Sequence, residues 1–399
     1  MIQSMSKIFG NSEKHPEKWG LVLSGGGTKG AYEVGVWKAI CELKIPIRGI
    51  AGTSIGALNA AMFLCCDLKH IESIYRNINL TDVLPVSGGI DPTKDVFDPA
   101  NLLAVTKDFF RQRGLDNAPL RRMLETHLDI QKIYASSLDL GIVTYNVPTR
   151  EAFRLFKEDI EPGKLIDYLL ASANFPIYKT QNVDGKQFWD GGLFDNMPFN
   201  LLIERGYTHL IVIDINGLGQ TRKMENAEKV YLNMISGSED LGGTFEFNPE
   251  RIAHNIALGY LDTMKAFHGL FGNYFFFRRP AFNDLLTKFD LETIQGLEKA
   301  GKLYGMERLR IYRAEDFLTE LENRYAEVEK QFSAKYASKS KKPGIKELRK
   351  LMSTEEGLPA AVQFFTEQPA QHAAPVGNAI PDLRDAAKAI IALKNYRKL

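Results

Sequence analysis

Cysteine is scarce: the 399 residues hold three, Cys41, Cys65 and Cys66. Two of them are adjacent, so neither a disulfide framework nor a metal-ligand spacing emerges. Reduced thiols in a cytoplasmic protein are the expectation. Net charge is nearly absent, with 50 Lys and Arg against 49 Asp and Glu. That balance excludes the broad basic footprint of a nucleic-acid binder. Long apolar runs are missing too. The longest, around residues 57–66, is far short of the roughly 20 residues that cross a bilayer, so a membrane is met, if at all, at its surface. The first 20 residues are polar with scattered lysines and have no apolar h-region, which predicts no signal peptide. No grouping of His, Cys and carboxylates suggests a metal, and nothing calls for a cofactor. No internal repeat is found. Oligomeric state leaves no mark in the sequence.

What is present is an ordinary globular composition, 44% hydrophobic and 25% charged, in a chain long enough for one large α/β domain and a smaller unit. Leu21–Ser24 is a short apolar run ending in glycines, which suits a buried strand. Residues 31–43 carry Val34, Val36, Trp37, Ile40 and Leu43 at helical spacing. A second strand over Ile47–Ala51 and a second helix over Ala57–Leu68 follow. This strand–helix alternation predicts an α/β fold: a doubly wound, mainly parallel sheet. Further on, Leu138–Val147 and Ala152–Phe156 read as a hairpin around Pro148-Thr149, and Leu165–Ala173 as a helix. His209–Ile215 is a near-continuous apolar run, as in a strand covered on both faces. Ile252–Leu270 reads as an amphipathic helix and Tyr274–Arg279 as a strand. The aromatic run Phe271–Phe277 reads as packed core rather than a lipid contact.

After about Pro280 charged helical segments replace the strand-rich pattern. The expected organisation is therefore an N-terminal tail over 1–17, a main domain over 18–280 and a helical C-terminal extension over 281–399. Basic and Pro/Ala-rich stretches near 335–344 and 368–381 read as flexible joints.

Two glycine-rich turns carry the chemistry. Ser24-Gly25-Gly26-Gly27-Thr28-Lys29-Gly30 lies between a strand and a helix, where unobstructed backbone N–H groups form an anion cradle. Gly25, Gly27 and Gly30 also satisfy the G-x-G-x-x-G spacing of a dinucleotide site. That site needs a carboxylate at the end of the next strand, and here the strand ends Ile50-Ala51-Gly52-Thr53-Ser54. A phosphate-binding loop fails as well, because Lys29 lacks the glycine before it and the Ser or Thr after it. A cradle for a transient oxyanion remains. Gly52-Thr53-Ser54-Ile55-Gly56 is a G-x-S-x-G set between strand and helix, the setting of a nucleophile elbow. Adjacent parallel strands bring both loops to one carboxyl edge of the sheet.

A serine nucleophile needs a base. Of the seven histidines, only His209 fits a Ser…Asp…His chain order, and it precedes its strand, at the edge opposite the elbow. Asp190, followed by Gly191 and Gly192, is the better candidate, although Asp-Gly alone is a common turn.

Taken together, Gly25–Gly30, Gly52–Gly56 and Asp190-Gly191-Gly192 resemble the signature of the patatin-like phospholipases. Ala57-Leu58-Asn59-Ala60, Ala171-Ser172-Ala173 with Pro176, and Asn196 with Pro198 add smaller echoes. The resemblance covers roughly residues 18–215 and implies a three-layer fold. It implies Ser54 as nucleophile, Asp190 as base, and an oxyanion hole at Gly25, Gly26 and Gly27. Lys29 matches the family's basic loop position and reads as a loop or head-group contact. Tyr178-Lys179 departs from the family's usual further proline. The implied activity is two-step hydrolysis of phospholipid or lysophospholipid esters, without metal or cofactor and with only peripheral membrane contact. A soluble carboxylesterase or transacylase on the same fold is the alternative within enzymes, and a conditionally active effector or binding module the alternative outside them. As a base, Asp190 is expected to be desolvated and raised above the ordinary ~3.9 of an aspartate.

Overall fold

A computed structural model describes residues 18–85, 89–91, 93–336, 354, 356–367 and 381–398. The expected tail over 1–17 lies outside these residues, as do the joints near 335–344 and 368–381 except at their edges.

The main sheet has eight strands: β1 (Trp19–Leu23), β2 (Ile47–Thr53), β3 (Asp139–Asn146), β4 (Glu151–Phe156), β5 (Gln181–Val183), β6 (Lys186–Asp190), β7 (His209–Asp214) and β8 (Tyr231–Ser236). Their order is β5-β6-β3-β2-β1-β7-β8, with β4 paired to β3. β3, β2, β1, β7 and β8 run parallel, and β4, β6 and β5 make antiparallel pairs. Side chains alternate between faces along a strand. Val22, Ala51, Val143 and Val212 pack against Phe199, Leu201 and Leu202. Leu21, Leu23, Ile50, Ile142, Ile211 and Ile213 point the other way and are just as buried. A sheet covered on both faces is what near-continuous apolar strands require.

The helices of this region are α1 (Ala31–Leu43), α2 (Ile55–Cys65), α3 (Leu68–Asn77), α4 (Pro99–Gln112), α5 (Ala118–His127), α6 (Ile130–Ala135), α7 (Leu165–Ser172), α8 (Phe199–Glu204) and α9 (Pro249–Ala266). The helix expected over Ala57–Leu68 is divided. Asp67 is extended, and its side chain accepts the His70 N–H to cap α3, the role a short acidic side chain fills best. β8 was not expected. It is an edge strand with Tyr231, Leu232 and Met234 exposed, so it lacks the alternation by which strands are read.

The chain divides into two compact units between Thr263 and Met264, not at the expected 280/281. The aromatic run explains the difference. Phe275 and Phe277 are fully buried in the second unit's own core, with Leu285, Leu297, Phe317, Leu321, Leu358 and Ile390. Only Phe276–Phe277 of the expected Tyr274–Arg279 strand forms a strand, β9, paired in parallel with β10 (Ile311–Tyr312). The helices among the described residues of this unit are α10 (Arg279–Lys288), α11 (Leu291–Leu303), α12 (Ala314–Tyr336), α13 (Gly357–Glu367) and α14 (Pro381–Arg397). No helix among the described residues is long and apolar enough to cross a membrane.

Candidate active site

Strand register brings the site together. Thr53, the last residue of β2, pairs with Val143 of β3. The next residue of β3, Thr144, pairs with Asp190, the last residue of β6. Ser54 and Asp190 therefore leave the sheet side by side. On the other flank Leu23 of β1 pairs with Gly52, so the glycine loop starts at the same edge. His209 pairs with Trp19 at the opposite end of β1, where it is buried between Trp19 and Tyr231.

Ser54 has φ 56° and ψ −126°, a region that costs a residue with a side chain about 1–3 kcal/mol. Its surroundings hold it there. Its N–H donates to Ser172 Oγ at 3.0 Å, and Ser172 Oγ donates to the Val143 carbonyl at 2.6 Å. The two elbow glycines are sterically required. A Cβ on Gly52 would meet the Gly56 carbonyl at 2.3 Å, and one on Gly56 would meet the Leu23 oxygen at 2.4 Å.

Ser54 and Asp190 line the same cavity, and the Ser54 hydroxyl lies near enough to the Asp190 carboxyl to favour its ionised form. Asp190 is 5% exposed, and its Oδ1 also accepts the Gly192 N–H at 2.8 Å. Burial pushes its carboxyl up to about 6, and the Ser54 hydroxyl and Gly192 N–H limit the rise. Gly191 lets the chain turn away at once, since a Cβ there would lie 2.2 Å from the Val143 oxygen.

The glycine loop differs from expectation at one position. The Gly25 N–H is already donated, to the Asn196 carbonyl at 3.2 Å and to its Oδ1 at 3.1 Å. The Thr28 N–H is donated to the Thr244 carbonyl at 2.8 Å. Gly26 and Gly27 are left as the amides with no acceptor among the described residues, and Gly25 becomes the anchor of the loop. Lys29 is an ordering contact: its ammonium donates to the Asn216 carbonyl at 2.9 Å. Gly30 lies against Ile55 and Asn59, where a Cβ would come within 2.5 Å of Ile55.

Sequence reasoning missed the supporting residues. Ser172 and Asn196 were visible only as motif echoes, because their hydrogen bonds join segments distant in the chain. Behind the loop, the Asn59 amide donates to the Gly30 carbonyl at 3.0 Å and to Glu33 Oε2 at 2.7 Å, and Tyr75 donates to Asn59 Oδ1 at 2.7 Å. Glu33 is completely buried, and burial holds its carboxyl well above the ordinary range.

Ser54, Asp190 and the Gly25–Thr28 loop face a cavity of about 90 Å³. Its other walls are almost entirely apolar, including Leu58, Met62, Ile74, Ile78, Val83, Leu120, Met123, Phe175, Phe245 and Phe247. Tyr178, at the position that departs from the family pattern, is part of this wall, and its hydroxyl donates to the Val83 carbonyl at 3.1 Å. Among the described residues no group of three or more His, Cys, Asp or Glu is placed to hold a metal ion.

Fold and site together describe an α/β protein with a serine on a strained strand-to-helix elbow and a buried carboxyl leaving the sheet beside it. Residues 21–203 match the family of patatin-like phospholipases. Over 205 residues, 51% of this chain, it is 28% identical to neuropathy target esterase sws of Drosophila melanogaster, of which the match spans 13%. Over 214 residues, 53% of this chain, it is 26% identical to lysophospholipase NTE1 of Cryptococcus neoformans, of which the match spans 12%. The chain thus matches only about an eighth of the length of these relatives. Against the crystal structure of VipD from Legionella pneumophila the TM-score is 0.41 at 15% identity, covering 95% of this chain and 90% of that one.

Proposed function

We propose that the protein hydrolyses carboxylic esters of phospholipids or lysophospholipids through Ser54 and Asp190. The observation that carries this reading is that Ser54, on its strained elbow, and the buried Asp190 leave the strands flanking β3 into one apolar cavity. Ser54 Oγ attacks the ester carbonyl, and Asp190 takes the hydroxyl proton. The N–H groups of Gly26 and Gly27 receive the oxyanion, each worth about 3–4 kcal/mol when well placed. Asp190 then gives its proton to the departing alkoxide, leaving an acyl ester on Ser54. Water, losing a proton to the same carboxylate, releases the fatty acid and restores the serine. A carboxyl near 6 is a far better proton acceptor at neutral pH than an ordinary aspartate. The apolar walls suit an acyl chain. Two of the relatives, an esterase and a lysophospholipase by name, are in keeping with this chemistry.

The test is labelling with a fluorophosphonate followed by profiling of lipid products. Labelling that disappears in Ser54→Ala, with fatty-acid release lost in Asp190→Asn, supports the proposal. A freshly prepared protein that neither labels nor releases fatty acid overturns it and favours a binding module.

A further inference from the structure

The helix α4 has two unlike faces. Val105 and the partly buried Phe109 pack into a cluster with Tyr178, Phe245 and Phe247, three residues that also line the cavity at Ser54. The opposite face is open and apolar at its crest. Leu103 is 82% exposed and Phe110 73% exposed, and Leu102 and Phe97 are 46% and 43% exposed beside them. Leu103 and Phe110, seven residues apart, lie on one stripe of the helix. Large apolar side chains left in water as a patch mark a contact surface.

This patch runs on into the site. Phe97 packs edge-on against Phe245, at 6.0 Å, and against Phe175, at 6.3 Å. The Phe245 N–H donates to Asp95 Oδ2 at 2.7 Å, and its neighbour Thr244 holds the glycine loop through Thr28. Charge is distributed to match. Exposed Lys107, Arg111 and Arg113 flank the crest, and the one carboxylate in that stretch, Asp108, is buried and paired with Arg111.

We infer that the exposed face of α4 docks on an anionic phospholipid surface, with Leu103 and Phe110 inserted among the acyl chains and Lys107, Arg111 and Arg113 at the head groups. An apolar crest with cations on its flanks is the pattern of a helix lying in a membrane interface. Docking there sets the Phe97 rim, and with it the cavity, against the bilayer that holds the ester. The inference rests on the lipid-ester reading of the site and adds the surface through which substrate arrives.

The experiment compares full-length wild type, Leu103→Ser/Phe110→Ser and Lys107→Glu/Arg113→Glu. Each is tested for sedimentation with vesicles of phosphatidylcholine alone or mixed with phosphatidylglycerol, and for hydrolysis of a short soluble ester. Wild type is expected to bind the anionic vesicles and to release from them in high salt. The apolar variant is expected to lose vesicle binding by at least about tenfold. The charge variant is expected to weaken it by about fivefold or more for each cation removed. Both retain wild-type turnover of the soluble ester. Wild type that ignores vesicles, or an apolar variant that binds them unchanged, overturns the inference. So does a wild type whose self-association, rather than its vesicle binding, is abolished by the apolar variant. Binding that depends on Leu103 and Phe110 in a protein inert toward every ester removes the hydrolase reading and leaves the docking surface standing.

Discussion

Gly25 and Asn196 bridge each other in both directions: Gly25 N–H donates to Asn196 Oδ1 at 3.1 Å, and Asn196 Nδ2 donates to the Gly25 carbonyl at 3.2 Å. The amide side chain takes the place of a strand partner at the point where the chain has left the sheet. It is buried, so neither bond competes with solvent. Gly26 and Gly27 follow this anchor directly, so their backbone position depends on it.

Asn196→Ala releases the loop while leaving the Gly25 bond to the Asn196 carbonyl. A reacting group displaced by about an ångström costs about 10²-fold, and a fall of that order in kcat with little change in KM is expected. Steady-state kinetics on a soluble ester test it. Unchanged kcat would mean that the loop is held by other contacts.

The pH dependence follows from Asp190 at about 6. The base acts only when ionised, so kcat/KM is expected to fall as pH drops through 6 and to level off above it. Asp195, 2% exposed, is also pushed by burial up to about 6. Its backbone carbonyl accepts the Thr53 hydroxyl, but its carboxyl is assigned no step. The acid limb should therefore persist in Asp195→Asn.

Stability should move the opposite way. Asp190 binds its proton more tightly folded than unfolded, so its contribution is full below the unfolded value near 4 and is lost as pH rises through 6. At neutral pH the ionised carboxyl costs the fold about 3 kcal/mol. Asp190→Asn is expected to be inactive yet more stable than wild type by up to that amount at pH 7.5, with the gap closing below pH 4. Thermal melts at the two pH values measure it.

Glu33 obeys the same sign, since burial raises its carboxyl. Its Oε1 has no hydrogen-bond partner among the described residues, so an amide fits as well as a protonated acid. Glu33→Gln should match wild type in denaturant midpoint near pH 4 and exceed it increasingly as pH rises. Parallel pH–stability curves would refute a raised carboxyl.

Ser172→Ala leaves the Ser54 N–H and the Val143 carbonyl without the hydroxyl they share. Orphaning buried groups costs about 1–3 kcal/mol. Urea unfolding should show that loss, and kcat should fall with it because the elbow backbone is no longer pinned.

The strands that end in glycine, β1 and β2, are legible in the sequence because apolar runs and glycine turns have local causes. The hairpin of β3 and β4 is legible for the same reason. Helices α3 to α6 were not read, and β8 is hidden because Tyr231, Leu232 and Met234 are all exposed. The meeting of Ser54 and Asp190 rested on motif resemblance, because it depends on the pairing of Thr144 with Asp190, a long-range register with no local mark. The capture of Gly25 by Asn196 is equally nonlocal, and so the loop's free amides were one too many in the sequence reading.

The hydrogen bond from Thr28 to Thr244 has a consequence for biosynthesis. The elbow serine leaves the ribosome early, but the loop beside it is closed by residues made almost two hundred positions later. Domains fold as units as they are synthesised, so a nascent chain that stops short of Thr244 carries Ser54 without a closed glycine loop. On the proposed reading, reactivity toward lipid waits until nearly all of the first unit has emerged.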